Sequence, residues 1–374
     1  MRLSHAFARH ALLFSSISNA ALLFFFLLGG PPFLEAGQIF SVQSLGILGS
    51  SAGTVSAINN SGSTVGFVTN VQGNQVPVSF NGGTANPLSG YGRANGINSA
   101  GTVIGTSYSN NTPYVTEWSG GQTTNLGISG YGVAINNAGQ VAGGYNTSTG
   151  LLHAFVWSNG SLADLGTLGG TWSSVNGLNS QGQAAGTSST ASGVFNAFFS
   201  SGSGMEGLGT LGGAYSYGMA INNAGEIAGS AQTSQGLMKA AVWNGGKITD
   251  LGTLGGSQSY AYGVNGAGTV VGSSWSTGNL AMHGFIDTGG VMIDLNQLLP
   301  VNSGWTIDAA YGINDSGDIV GTGTLNGQSY ALELATPSAL LVGTPEPATL
   351  LLAGLGFLMV GSVRRLKRKG PASV

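Results

Sequence analysis

Few side chains in this 374-residue chain could do chemistry, and most that could sit at repeating positions. Between the two ends the only histidines are His153 and His283. They occupy equivalent places, filled elsewhere by Tyr114, Asn196 and Lys239. A place whose residue changes from copy to copy reads as surface rather than as a general base. Asp164, Asp250 and Asp294 recur in the same way. Two carboxylates a fixed distance apart could cleave a glycosidic bond, but nothing marks one of these acids out, so a turn or strand-end role is expected. There is no cysteine nucleophile, and no serine has the fixed histidine and aspartate pattern of a triad. Asn314-Asp315-Ser316-Gly317-Asp318 puts oxygen ligands on a tight turn, as Ca²⁺ would need. The other copies of that turn lack this pair of acids, and Asn60 stands where Asp315 does. A plain turn is therefore expected, with no metal and no cofactor. Trp118, Trp157 and Trp243 share one repeat position. Exposed, their faces would stack on sugar rings beside abundant amides and hydroxyls; buried, they would fill the core between repeats.

These residues hang on three interleaved motifs. Ile-Asn-x-x-Gly-x-x-x-Gly, with Leu or Val tolerated first, starts at Ile58, Ile97, Ile135, Leu178, Ile221, Val264 and Ile313, in steps of 39, 38, 43, 43, 43 and 49 residues. Such a period marks a repeat architecture. Asn first and Gly fourth suit a β-turn joining strands. The second motif, Asp-Leu-Gly-Thr-Leu-Gly-Gly, is complete at 164–170 and 250–256; its leading leucines are Leu45, Leu88, Leu126, Leu165, Leu208, Leu251 and Leu295. The third is best at His153-Ala154-Phe155-Val156-Trp157.

The unit 136–179 divides into strands at 140–145, 153–157, 161–165 and 173–178. Four short strands per 40–45 residues is the pattern of a propeller blade. The strand after each turn is rich in small residues, for example Val141-Ala142-Gly143. It is expected to be innermost, around a narrow channel, with Trp and Phe of the next strands packing between blades. The chain opens with an unpartnered Leu-Gly motif at Leu45 and closes on a turn at Asn314 and a strand at 329–332. Those two halves make one blade and would hide the sheet edges. The expected fold is all-β: a seven-bladed β-propeller over 38–335, its closing blade shared by the two ends, with a β-solenoid as the rival.

Composition agrees. Sixty-seven glycines make helix costly, while 42% hydrophobic residues allow a packed core. The middle stretch holds three basic residues, Arg93, Lys239 and Lys247, against eleven acids from Glu117 to Glu333, a net of −8. Nucleic-acid binding needs a basic stripe, and this stretch has none.

The two ends read as addresses. Arg2, His5, Arg9 and His10 precede an apolar run peaking at 20–28, which Gly29-Gly30-Pro31-Pro32 ends. Cleavage near Ala36 makes 1–36 a signal peptide; an uncleaved anchor is the alternative. After a linker at 336–344 come Pro345-Glu346-Pro347, an apolar helix at 348–363 and a basic tail at 364–369 that starts with Arg364 and Arg365. Sixteen residues rise about 24 Å, short of a bilayer core of about 30 Å, a gap that snorkelling and thinning can cover. The basic tail should stay cytoplasmic, with the body across the membrane.

The segment 345–369 resembles the PEP-CTERM sorting signal of exported Gram-negative proteins. That resemblance implies transient inner-membrane insertion, removal of the helix by an exosortase, and delivery to the cell surface or an exopolysaccharide matrix. The three motifs of 38–335 together resemble the HAF-type extracellular repeat, which implies an extracellular setting and brings no catalytic residues. The expected function is a non-enzymatic, exported binding or structural scaffold, with exopolysaccharide among its candidate partners. A secreted carbohydrate-active enzyme on a propeller is the alternative.

Overall fold

A computed structural model describes residues 40–46, 51–202 and 204–336. The signal segment 1–36, the linker beyond Thr336 and the sorting segment 345–369 with its 348–363 helix lie outside the described residues. Among the described residues the regular structure is strand, apart from two 3₁₀ turns, Thr277–Asn279 and Leu295–Leu298. No helix there is long and apolar enough to cross a membrane.

Each Ile-Asn-x-x-Gly motif is a hairpin turn. At the sixth copy, Gly268 N–H donates to the Asn265 carbonyl and Asn265 N–H to the Thr269 carbonyl. Gly268 has φ +79°, a left-handed conformation that glycine adopts without steric cost. The turn links Gly255–Val264 to Val270–Ser276; Met282–Thr288 and Val291–Asp294 complete a four-stranded antiparallel sheet in that order. Ser51–Pro87 and Gly212–Asp250 repeat the arrangement. The 92–207 stretch forms one connected sheet, because Gln122–Ile135 pairs outward with Thr112–Ser119 and inward with Val141–Asn146, and a parallel bridge from Leu152 to Trp172 joins Leu152–Ser158 to Gly169–Leu178. In the last sheet, Ser41–Ser44 lies antiparallel to Gln328–Ala335, with Gln43 opposite Glu333. The N-terminal strand thus finishes the C-terminal sheet, as the split repeat requires.

The phase of the strands differs from the sequence expectation. The strand before each turn is innermost: these strands line a common central cavity, and the small-residue strands stand second. Gly169–Leu178, expected to end one unit, is hydrogen-bonded to Ala184–Thr190 and opens the next. The small residues have another cause. Every inner strand carries a β-bulge, at Ser56, Asn95, Val133, Asn176, Met219, Tyr262 and Tyr311. Beside each bulge stands a second-strand glycine, such as Gly66, Gly186 or Gly272. A Cβ there would be driven into an inner-strand carbonyl oxygen, that of Thr54, Ser174 or Tyr260.

The asparagines do more than cap turns. In six copies Oδ1 accepts two backbone N–H groups of its own turn, as Asn179 accepts from Gln181 and Gln183; Asn314 Oδ1 accepts Asp318 N–H. Each Nδ2 donates to the backbone carbonyl of the next copy's asparagine. The bonds run Asn59 to Asn98 (2.8 Å), Asn98 to Asn136 (3.3 Å), Asn136 to Asn179 (2.9 Å), Asn179 to Asn222 (3.1 Å), Asn222 to Asn265 (3.0 Å) and Asn265 to Asn314 (3.2 Å). Asn314 then donates to Asn59 at 3.3 Å. All are buried, so water offers no substitute for these bonds.

The core lies between neighbouring sheets. A large third-strand side chain packs on two small ones of the sheet before: Phe198 on Ala142 and Ala154, Trp243 on Ala185 and Ala197, Phe285 on Ala228 and Ala240. The Leu-Gly motif docks onto the same strand, as where Leu251 N–H donates to the Ala240 carbonyl. Fully buried Ser173, Ser216 and Ser259 accept from Ala154, Ala197 and Ala240 N–H, tying each third strand to the next inner strand.

Asn70 provides an internal control for the asparagine circuit. It caps a turn ending at Gly73 through the same two bonds, to Gln72 and Asn74, and reaches no neighbouring copy. In urea denaturation of the full chain, Asn70→Ala should cost about 1 kcal/mol and Asn179→Ala about 2 kcal/mol or more. Equal losses would mean that the inter-copy bond contributes nothing.

Candidate functional site

The bulge decides what the inner strands offer. It adds one unpaired residue and re-aims its side chain. Here that residue lies two places before the aliphatic of each Ile-Asn motif. It is the variable one of its surroundings: Ser56, Asn95, Val133, Asn176, Met219, Tyr262, Tyr311. All of these line a central chamber of about 550 Å³. The aliphatic residues Ile58, Ile97, Ile135, Leu178, Ile221, Val264 and Ile313 line both this chamber and a polar cup of about 250 Å³ bordered by the asparagine turns. An apolar collar therefore bounds the chamber at that end.

The wall is chemically lopsided. Tyr262 and Tyr311 face it with ring centroids 5.6 Å apart, tilted by 49°. Their hydroxyls are tied to the second strands, at Ser273 Oγ (3.2 Å) and Thr322 Oγ1 (3.3 Å). Tyr260 lies on the Tyr262 strand and Tyr217 and Tyr215 on the inner strand before it, and none of the three lines the chamber. Burial pushes the Tyr262 phenol up, Ser273 opposes, and Tyr311 and Tyr260 add to the rise. Burial also raises Tyr260 and Tyr217, reinforced by Tyr217 and Tyr215 respectively. These phenols stay neutral near pH 7 and can donate hydrogen bonds.

Next but one to the Tyr311 strand comes the strand of Arg93, the one guanidinium among the described residues. Its Nε donates to Gln75 Oε1 at 2.7 Å, and its guanidinium carbon lies 4.6 Å from the Phe67 ring centroid. No carboxylate is within ion-pair distance of it among the described residues. The strand carrying Thr54 and Ser56 lies between those carrying Tyr311 and Arg93. The residues lining the chamber include amides, hydroxyls, phenols and this cation, and neither carboxylate nor imidazole.

The residues singled out from sequence lie elsewhere. His153 Nδ1 meets Asp164 at 3.0 Å and His283 Nδ1 meets Asp294 at 2.6 Å; neither pair lines the chamber. Asp164, Asp250 and Asp294 each accept a backbone N–H two residues on, from Gly166, Gly252 and Asn296. Burial alone would raise the Asp164 carboxyl; hydrogen bonds from His153, Gly166 N–H and Tyr145 outweigh it, and the net direction is down. Asp315 spends its oxygens on Gly266 N–H (2.7 Å) and Asn60 Nδ2 (2.6 Å). Among the described residues no group of three or more acids and histidines could hold a metal ion.

Burial corrects the sugar-stacking reading of the tryptophans. Trp118 and Trp243 are 4% and 3% exposed, covered by neighbouring sheets. Trp157 is partly buried against the cluster that holds Phe155. Asp287 occupies the equivalent place in a later copy. It is 3% exposed; its Oδ1 accepts Gly290 N–H and its Oδ2 has no partner. Burial raises its pKa, only partly offset by Gly290. Arg93, Tyr262 and Tyr311 went unmarked in the sequence. For the two tyrosines the available signal was one variable place inside an otherwise regular motif; Arg93, two residues before the bulge at Asn95, lay outside it.

Residues 344–369 match the PEP-CTERM protein-sorting motif. That match supports an exported protein addressed to an exosortase, a membrane protease. No curated protein sequence matches the chain. The similar solved structures are β-propellers. A puromycin-hydrolysing peptidase of Mycobacterium tuberculosis is 11% identical with a TM-score of 0.53, covering 80% of this chain and 51% of its own. TolB of Acinetobacter baumannii is 14% identical (TM-score 0.45; 68% and 67% covered). The BP39L lectin of Burkholderia pseudomallei is 12% identical (TM-score 0.37; 79% and 98% covered). This chain thus spans about half the peptidase's length, and the likeness is one of fold.

Asp287 makes stability depend on pH. A carboxyl raised in the folded state favours folding below its unfolded pKa, and that contribution is lost as pH rises through the folded pKa. Asp287→Asn should therefore raise the melting temperature at about pH 7 and change it little near about pH 3. An equal effect at both pH values would contradict this.

Proposed function

We propose that this chain is an exported, non-enzymatic binding scaffold built as a closed seven-bladed β-propeller. The blades are the repeats of 38–335, of the HAF type they resemble, and the closing blade is shared by the two ends. In this reading a signal peptide at 1–36 starts export. The 348–363 helix then holds the chain in the inner membrane with Arg364 and Arg365 cytoplasmic. An exosortase acts at Pro345-Glu346-Pro347 and delivers the protein to the cell surface or exopolysaccharide matrix of a Gram-negative bacterium. The central chamber binds a glycan of that matrix.

One observation carries the binding half: the lopsided chamber wall. Phenol rings at Tyr262 and Tyr311, a guanidinium at Arg93, and the amides of Asn95 and Asn176, whose Nδ2 groups are held by Gly132 and Gly218 carbonyls, line a space within the small-ligand range of roughly 300–1,000 Å³. Aromatic faces and fixed polar groups are what a sugar needs for orientation. Hydrolysis would need paired acid and base groups, which this wall does not offer.

Two assays test the proposal. Full-length protein should co-sediment with exopolysaccharide and release no reducing ends from it. Release that is lost on mutating a single aspartate would make the chain a carbohydrate-active enzyme. In cells, alanines at Pro345-Glu346-Pro347 should leave the protein in the inner membrane with its basic tail attached; unchanged release would contradict the delivery route.

A further inference from the structure

We infer that the chamber's ligand is an acidic saccharide, with its carboxylate on Arg93 and its ring against Tyr262 and Tyr311. This rests on the glycan-binding reading above and narrows it to a chemical class.

Arg93 is oriented but unspent. Its guanidinium carbon lies over the Phe67 ring and Gln75 takes Nε. No protein acceptor sits on its two terminal nitrogens among the described residues. A planar guanidinium held this way presents parallel donors that fit a carboxylate. Arg93 is exposed to solvent, so it needs no acid to neutralise it, and the −8 stretch around it places none on this wall to compete with a ligand. The same net charge provides no general attraction for polyanions, so acid recognition must be local to Arg93.

The position of Arg93 fits a sugar better than a bare anion. Between it and Tyr311 the wall is built of Thr54 and Ser56, whose small side chains fill little of the space between the cation and the phenol ring. A pyranose seated there can lay a face on Tyr311 or Tyr262 while an exocyclic carboxylate turns to Arg93. Both rings are already tied at their hydroxyls, so little ordering is left to the ligand. The aliphatic collar bounds the chamber beyond, which favours a chain end or branch over a threaded polymer.

Calorimetric titration of the full chain in mild detergent tests this, with trigalacturonate and neutral galactotriose as probes. The acid should bind roughly ten- to a hundredfold more tightly than the neutral sugar, and added salt should narrow the gap. Arg93→Gln should remove the preference. Arg93→Lys keeps the charge without the fork, so it should retain some preference at lower affinity. Tyr311→Ala should weaken both probes. Equal binding of the two sugars, unchanged by either Arg93 variant, would overturn the acidic assignment and leave glycan binding standing. Binding of neither probe would overturn both.

Discussion

A buried amide bond recurs once per repeat, and the architecture hangs on it. Each asparagine holds its own turn through Oδ1 and reaches the next turn's backbone through Nδ2, from Asn59 round to Asn314 and back to Asn59. A net hydrogen bond is worth about 1 kcal/mol, but a buried donor left unmade costs more. The circuit therefore acts less as glue than as a constraint on spacing. A sheet that shifts away from its neighbour orphans an amide on one side and a carbonyl on the other. Glutamine could not replace the residue without lengthening the reach. The acidic clasp between Asn60 and Asp315 reinforces the junction between the first and last copies.

With spacing fixed, the inner strands are free to vary. The bulge turns one residue per repeat toward the axis, and the glycine beside it lets the bulged backbone approach. Those outward features are constant, while the turned residue ranges from Ser56 to Tyr311. This separates framework from recognition: the framework residues repeat because every sheet needs them, while the chamber residues differ in what they reach, Asn95 and Asn176 a carbonyl of the next inner strand and Tyr262 and Tyr311 a second-strand hydroxyl. Arg93, two residues before the bulge at Asn95, and the bulge tyrosines gather on one arc, giving a symmetric scaffold an asymmetric interior.

Much of the framework was legible as sequence. Asn-x-x-Gly announced the turns, and the strands at 141–146, 152–158 and 161–166 fall within two residues of expectation. The phase of the two ends anticipated the pairing of Ser41–Ser44 with Gln328–Ala335. What escaped were features that depend on a neighbouring strand. Val141-Ala142-Gly143 shows that something is tight, but composition cannot say whether the crowding comes from an axis or from a bulged carbonyl. Trp243 looks like a sugar platform until Ala185 and Ala197 of the adjacent sheet cover it. Tyr262 and Tyr311 are ordinary strand residues until the bulge aims them inward.

The central claim is that the two ends of the repeat region meet in one sheet and so close a ring. The chain has no cysteine of its own, so an introduced pair reports cleanly. Gln43 and Glu333 stand opposite each other in the shared sheet, within the 4.4–6.8 Å Cα range typical of disulfides if the pair has ordinary antiparallel spacing of about 4.5–5.5 Å. In a Gln43→Cys, Glu333→Cys chain under mild oxidation, the account predicts an intramolecular disulfide, seen by mass and reversed by reductant. Free thiols, or disulfides only between chains, would contradict it.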